Sequence, residues 1–160
     1  MTKVFLPFPI GIITIICDGD RLCSIRIDEG GPMPSPGDGT RAPASSVAAA
    51  AAEQLDAYFR GELDLFDLPL APSSSPRGEA LRTAIIGVPA GATLSYGALA
   101  RATGSSPRAI GQACARNPFP VVVPCHRVIA SGGGIGHYSA GRGITTKRWL
   151  LNHERRGGLI

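Results

Sequence analysis

The stretch that decides the fold is residues 117–128, which read NPFPVVVPCHRV. Two X-Pro steps at its start end any preceding helix, because proline lacks a backbone N–H and disfavours the helical conformation in the residue before it. The three valines that follow predict a short buried strand. Pro124 then brings Cys125 and His126 to the end of that strand.

The Cys-His pair is a candidate for nucleophilic chemistry. Burial raises the pKa of a thiol and makes it inert, whereas a histidine that accepts the thiol proton restores its nucleophilicity. Because adjacent side chains of an extended chain point to opposite faces, we expect a water molecule to bridge Cys125 and His126. A Cys-His dipeptide is usually accidental, so the surrounding sequence has to decide between these possibilities.

Immediately upstream, the sequence predicts two short helices around a tight break at Gly104 and Ser105. The first runs from about residue 95 to 102, and the second begins where Ser106 caps Pro107 and continues to about Arg116. This arrangement has the shape of a helix-turn-helix. Most short helix pairs only pack a core, so the pair alone does not establish DNA binding.

The second helix is slender and carries an arginine near its N-terminus. Arg108 is followed by Ala109 and Gly111 on a rod of small side chains. Such a helix can approach the narrow minor groove of DNA, where Arg108 would reach the base stack or a phosphate. The alternative is that the small residues serve close packing between helices.

The N-terminal half predicts a small sheet and one helix. Alternating or continuous apolar residues predict strands over 4–6, 12–17 and 22–27, and in the last of these Cys23, Ile25 and Ile27 form the expected buried face. A Gly, Pro and Ser-rich loop is expected over 28–43, followed by a helix from Ser46 that stops before Gly61. The predicted domains are 1–71 and 77–160, joined by a linker at 72–76.

Composition and charge narrow the function classes. Apolar residues make up 44% of the 160-residue chain and charged residues 18%, which excludes a disordered protein. Continuous apolar runs are too short for a membrane span, and the N-terminus shows no secretory signal, so we expect a soluble cytoplasmic protein. Residues 1–76 carry five Lys or Arg against ten Asp or Glu, but residues 77–160 carry eleven against two. A basic half of this kind favours nucleic acid as the partner.

These motifs together resemble one family. The pentapeptide PCHRV at 124–128 follows Asn-Pro at 117–118 and RAIG at 108–111, and further likeness covers SYG at 95–97, GHYS at 136–139 and KRWLLNHE at 147–154. This combination resembles the O6-alkylguanine-DNA alkyltransferases, also called methylated-DNA–protein-cysteine methyltransferases. The likeness extends more weakly into the N-terminal half.

The resemblance implies a fold and an activity. The fold is α/β (α+β), with a small N-terminal sheet-and-helix domain and a mostly helical C-terminal domain that holds the helix-turn-helix and the active cysteine. The activity is DNA repair by irreversible transfer of an alkyl group from O6-alkylguanine, and also from O4-alkylthymine, to Cys125. The target base is flipped out of double-stranded DNA. The protein would act once as a monomer, without cofactor or metal, and cooperativity on DNA stays open.

The resemblance also assigns roles to residues. Cys125 is the nucleophile, His126 takes its proton through water, and Glu154 holds His126. Asn117 orders the turn, and Tyr96 presses on a phosphate and donates to the leaving base. The implied DNA contacts are Ser95, Tyr96, Arg108, Ala109 and Gly111. The implied base pocket comprises Val128, Tyr138 and Ser139, with backbone carbonyls of Cys125 and Val128 accepting from the guanine amine.

Two alternatives to the alkyltransferase come from other classes. One is a lesion-binding protein without catalysis, against which the presence of Cys125 argues. The other is a cysteine hydrolase or thiol redox enzyme that uses Cys125 and His126 over many turnovers. A steep loss of DNA affinity with added salt would separate the DNA binders from this last class.

Overall fold

The computed structural model describes residues 1–29 and 46–158. The chain divides into two compact units, Met1–Ala71 and Pro72–Ile160. The loop predicted over 28–43 lies outside the described residues, apart from its first two positions. Within the described part of the chain, no helix combines the length and the apolar character that crossing a membrane requires.

The first unit is built on a three-stranded antiparallel sheet. Its strands are β1 (Thr2–Phe8), β2 (Gly11–Asp18) and β3 (Arg21–Asp28), in the spatial order β1-β2-β3. Short turns connect each strand to the next, as expected for antiparallel neighbours. The three predicted strands are confirmed, each one longer at its ends than the sequence pattern indicated.

The buried face of β3 agrees with the prediction at Ile25 and Ile27 and differs from it at Cys23. Leu22 and Ile25 are buried, whereas Cys23 is only partly covered. The cause is an irregularity in the pairing of β2 with β3, where Cys17 pairs with Leu22 and Ile16 pairs with Ser24. Cys23 is the extra residue of this bulge, and a bulge shifts the alternation of side chains by one position.

Helix α1 (Ser46–Phe59) covers one face of this sheet. Its buried stripe follows the helical period and consists of Val47, Ala48, Ala51, Leu55 and Tyr58. The alanines let the helix lie close to the strands, and Leu55 and Tyr58 fill the core between them. The helix ends at Phe59, shortly before Gly61, as predicted.

The second unit is mostly helical. Its elements are α2 (Pro76–Ile86), β4 (Leu94–Ser95), α3 (Tyr96–Thr103), α4 (Pro107–Ala115), β5 (Val128–Ile129) and α5 (Ile144–Gly158). Helices α2, α3 and α4 start at serine caps, whose side-chain oxygens accept backbone N–H groups of the first turn. The predicted Ser106 cap before Pro107 is confirmed, Ser75 caps the helix that begins at Pro76 in the same way, and the predicted α+β fold class is confirmed.

Helices α3 and α4 form the predicted helix-turn-helix. Gly104 ends α3 in the left-handed conformation, with φ of 64°, and the N–H of Ser105 bonds back to the carbonyl of Ala100 at 2.8 Å. Leu99 and Ile110 are buried where the two helices pack. The break between the helices is therefore short and fixed by backbone hydrogen bonds.

The strand predicted for the three valines is wrong. Residues 121–123 form a buried turn, and Val121 has a φ of 75°. A β-branched residue in the left-handed region is strained by about 1–3 kcal/mol and persists only where its surroundings enforce it. Here the N–H of Val123 bonds to the carbonyl of Phe119 at 2.8 Å, which folds the segment back instead of extending it.

A short parallel pairing brings the helix-turn-helix next to the Cys-His segment. Leu94 pairs with Val128 and Ser95 with Ile129. The start of α3 is thereby held beside the chain that leaves Cys125. The second unit thus joins the two regions that the sequence analysis singled out.

The core of the first unit supplies a test of the fold. Replacing the fully buried Leu55 by Ala leaves a cavity under α1, so the Leu55→Ala variant should lose about 2–5 kcal/mol of unfolding free energy. Leu65 is 66% exposed, and the same substitution there should cost less than about 0.5 kcal/mol. Urea unfolding measures both. Equal losses for the two variants would contradict the assigned core.

Candidate active site

Cys125 opens a 3-10 turn, Cys125–Arg127, that starts directly after Pro124. The residue is 4% exposed. It lies on the wall of a small cavity of about 130 Å³. The other lining residues are Tyr96, Gly111, Cys114, Ala115, His137, Tyr138 and Ser139. The cavity is bounded by α3, α4 and the 137–139 segment, and Cys125 contributes the thiol to its wall.

Asn117 holds the turn that presents the thiol. Its side-chain amide donates to the carbonyl of Val123 at 3.0 Å, and its side-chain oxygen accepts the N–H of Phe119 at 2.9 Å. The two bonds close a loop around the strained Val121. The amide also donates towards the sulfur of Cys125, which works to lower the pKa of that thiol.

His126, Glu154 and Arg127 form a buried network behind the thiol. The Nε2 of His126 lies 2.6 Å from a carboxylate oxygen of Glu154, and Arg127 donates to both oxygens at 2.8 and 2.9 Å. Arg127 also donates to the carbonyl of Val88 at 2.8 Å. Arg127 thereby braces the loop. These hydrogen bonds lower the pKa of Glu154 to about 2 and outweigh its burial.

The protonation state of His126 follows from its surroundings. Its ring is fully buried, and burial lowers its pKa despite the hydrogen bond that the ring donates to Glu154. The ring is therefore neutral near pH 7. Since Nε2 must donate to the carboxylate, Nδ1 carries no proton, and it has no hydrogen-bond partner among the described residues. Nδ1 is thus a buried base.

The groups around Cys125 shift its pKa in opposite directions. Burial and a hydrogen bond to the thiol of Cys114 raise the pKa of Cys125 well above its ordinary value. The ammonium of Lys147 works in the other direction on both thiols. Cys125 is therefore a protonated thiol at neutral pH, and it would need a base to become a nucleophile.

Lys147 is buried and ties two walls of the site together. Its ammonium donates to the carbonyl of Val128 at 2.7 Å and to that of His137 at 3.0 Å, and it lies 5.8 Å from the centre of the Tyr96 ring. Gly136 passes over both side chains with φ of 76°, where a Cβ would lie 3.1 Å from the Tyr96 ring. Burial, together with the neighbouring cysteine thiols, raises the pKa of Tyr96, so its hydroxyl remains a donor.

The structure brings many of the predicted site residues together. Tyr96, Gly111, Tyr138 and Ser139 share the cavity with Cys125. Asn117, His126 and Glu154 stand behind it. Val128 does not line the cavity, and its carbonyl already accepts from Lys147. The predicted DNA contacts outside the cavity lie on the helix-turn-helix: Ser95 caps α3, and the first turn of α4 carries Ala109 and an exposed Arg108.

Two family models match the chain. The DNA-binding domain of 6-O-methylguanine DNA methyltransferase matches residues 78–156, and the ribonuclease-like domain of the same family matches residues 1–72. The chain belongs to the 6-O-methylguanine DNA methyltransferase family. The resemblance found in the sequence is thereby confirmed.

Named members of the methyltransferase family are similar over most of the chain. The methylated-DNA–protein-cysteine methyltransferase of Mycobacterium tuberculosis strain H37Rv is 38% identical over 149 residues, which cover 92% of this chain and 88% of that protein. The one from Methanosarcina acetivorans is 42% identical over 106 residues, covering 65% and 67%. The crystal structure of Mycobacterium tuberculosis OGT in complex with DNA superposes with a TM-score of 0.82 at 35% identity, covering 98% and 94%.

Sequence reasoning gave no role to two residues of this methyltransferase site. Lys147 shares one helical face with Leu150 and Glu154, at spacings of three and seven, and all three are buried. That spacing was the available signal for a buried lysine. Cys114 is a single cysteine within the second helix, and no motif in the sequence marks it. Its position against Cys125 depends on the turn around Asn117, which the sequence did not predict.

The buried carboxylate predicts how stability depends on pH. Because folding lowers the pKa of Glu154 to about 2, its ion network stabilises the protein above about pH 4.5 and is lost as pH falls towards 2. The loss should be on the order of 3 kcal/mol. His126 is buried in its neutral form, so the protein loses further stability as pH falls below about 6.5.

Urea unfolding between pH 2.5 and 7 tests this dependence. The Glu154→Gln variant leaves Arg127 without a carboxylate partner. Its unfolding free energy should therefore be about 3–5 kcal/mol lower at neutral pH and should change less with pH below pH 4.5. Glu62 is exposed and pairs with Arg60, and its Glu62→Gln variant should follow the unmodified protein. If the unfolding free energies of Glu154→Gln and of the unmodified protein fell in parallel below pH 4.5, the ion network would not be the source of the pH dependence.

Proposed function

We propose that the protein repairs alkylated DNA by direct reversal, moving the alkyl group from O6 of guanine in double-stranded DNA to the sulfur of Cys125. The observation that carries the proposal is a thiol on a cavity wall with the buried base His126 next to it in the chain and that base held by Glu154. Membership of the methyltransferase family supports the same reaction. O4-alkylthymine offers the same alkyl–oxygen bond and is proposed as a second substrate.

The base must leave the helix to reach the thiol. An O6-alkyl group inside the base stack is inaccessible, so the nucleotide turns out of the duplex and enters the cavity. Helix α4 would lie in the minor groove. Its first turn carries the exposed Arg108, which would fill the space that the base vacates, and the small Ala109 lets the helix approach closely. Exposed basic residues of the second unit, such as Arg77, Arg101 and Arg116, would bind phosphates, and the protein would bind DNA as a monomer.

The proton of the thiol passes to His126. The unprotonated Nδ1 receives it through a water molecule, and the imidazolium that forms is balanced by Glu154 through Nε2. Arg127 fixes the carboxylate and so fixes the ring that the carboxylate holds. Lys147 favours the thiolate as it develops. These groups activate a thiol that is inert at rest.

The leaving guanine takes up negative charge as the sulfur–carbon bond forms and the carbon–O6 bond breaks. The Tyr96 hydroxyl stays protonated and would donate to the departing base. The Ser139 segment would donate to O6 from the opposite wall. Donors placed where charge develops lower the barrier without rearrangement. No group in the scheme cleaves the thioether afterwards, so each molecule acts once.

Intact mass after incubation with excess duplex that carries O6-methylguanine tests the function. The protein should gain about 14 Da, the mass of one methylene, and stop at one equivalent. Trypsin places Cys125 on the 117–127 peptide, which should carry the whole gain, and the Cys125→Ser variant should gain nothing. Binding of the lesion without a gain in mass would indicate a recognition protein, and repeated turnover would indicate a hydrolase or redox enzyme.

A variant of Arg108 allows base flipping to be tested separately from the alkyl-transfer step. The Arg108→Ala variant should slow transfer from the duplex at saturating DNA by about tenfold or more, because the extrahelical base loses its substitute in the stack. Transfer from free O6-benzylguanine base should stay within about twofold, since that substrate needs no flipping. Arg148, exposed on α5, provides the matched control Arg148→Ala. An equal loss with both substrates would refute the role of Arg108.

A further inference from the structure

The site contains a second sulfur that the alkyl-transfer scheme does not use. Cys114 lies in the last turn of α4, and its side chain lines the same cavity as Cys125. The two thiols share a hydrogen bond, and all four cysteines of the chain are free. Two thiols within one cavity can form a disulfide with each other, whereas a single thiol cannot.

The two thiols of this pair differ in their pKa shifts. The hydrogen bond from Cys125 lowers the pKa of Cys114, although burial acts against it, and the same bond raises the pKa of Cys125. The Lys147 ammonium stabilises negative charge on either sulfur. Of the two sulfurs, Cys114 is therefore the one that loses its proton more readily. Thiolates, and not thiols, react with peroxides.

We propose that Cys114 and Cys125 are a dithiol that a hydroperoxide converts into a disulfide, a reversible modification that blocks the nucleophile. The proposal rests on the placement of both thiols on the wall of one cavity and stands apart from the alkyl-transfer reaction. While the bond exists, neither sulfur can be alkylated. It also prevents oxidation of Cys125 to sulfinic acid, which is irreversible for an ordinary protein thiol.

The reaction has two balanced steps. First, the Cys114 thiolate attacks one peroxide oxygen, so an S–O bond forms, the O–O bond breaks, and hydroxide leaves and is protonated to water. Second, the Cys125 thiol loses its proton and attacks the Cys114 sulfenic acid, so the S–S bond forms and the S–O bond breaks with release of a second water. Two thiols are oxidised, and one hydrogen peroxide is reduced to two waters.

The neighbouring structure indicates which residue moves. A disulfide bond is about 2.0 Å long, so the sulfurs must approach from hydrogen-bond distance. The turn of Cys125 is held by the buried network of His126, Arg127 and Glu154. Cys114 lies one residue from the end of α4, where a helix yields most easily. The last turn of α4 therefore adjusts towards Cys125.

Peptide mapping of the whole protein tests the proposal directly. The reduced protein is treated with a small excess of hydrogen peroxide, remaining thiols are blocked with N-ethylmaleimide, and trypsin is added without reductant. Each of the four cysteines falls on a different tryptic peptide. We expect the 109–116 and 117–127 peptides to be linked, with a loss of about 2 Da for two hydrogens, and dithiothreitol to separate them.

Two variants guard against a false result. The Cys17→Ser/Cys23→Ser double variant removes the other neighbouring pair and should form the 109–116 to 117–127 link as the unmodified protein does. The Cys114→Ser variant should form no such link. In this variant Cys125 lacks the hydrogen bond with the Cys114 thiol that most raises its pKa, so its thiolate forms more readily and Cys125 should gain oxygen instead. After dithiothreitol, less than about half of its iodoacetamide labelling should return relative to its own untreated sample, whereas the unmodified protein recovers nearly all.

Two outcomes would overturn the proposal. One is oxidation of Cys125 to sulfinic acid in the unmodified protein without any link to the 109–116 peptide. The other is equal recovery of labelling in the unmodified protein and in Cys114→Ser. Neither readout uses DNA or alkyl transfer, so failure here leaves the proposed repair function untouched, and failure of the repair assay leaves the dithiol untouched.

Discussion

The site depends on the buried carboxylate of Glu154. One carboxylate orients the His126 ring through Nε2 and neutralises Arg127, which in turn holds the carbonyl of Val88. A buried arginine or carboxylate without its partner would cost several kcal/mol, so the three side chains stabilise one another. The network fixes the 3-10 turn and thereby the position of Cys125. It also leaves Nδ1 as the one nitrogen of His126 that can take a proton.

The rest of the second unit places the substrate side of the cavity against this network. The pairing of β4 with β5 sets the start of α3, and with it Tyr96, beside the chain after Cys125. Lys147 links the Val128 and His137 segments, because its ammonium donates to the backbone carbonyl of each residue. Helix α4 contributes small residues to the cavity wall and an exposed arginine at its outer end. Chemistry and DNA contact are thus built on neighbouring parts of one unit.

Local signals predicted much of this arrangement, and contacts distant in sequence decided the rest. Serine caps before proline fixed the starts of α2 and α4, because that chemistry is local. The valines at 121–123 favour a strand by propensity, but the side chain of Asn117 closes a turn around them. The bulge at Cys23 and the burial of Lys147 likewise depend on partners that a sequence pattern does not contain.

The protonation state of His126 tests the account most directly. Nitrogen-15 NMR of the ring in the free protein should show a neutral imidazole at pH 7, with the proton on Nε2 and a bare Nδ1, and the ring should titrate below the ordinary pKa of histidine. An imidazolium at pH 7, or a neutral ring with its proton on Nδ1, would contradict it, because the thiol of Cys125 would then have no base to receive its proton.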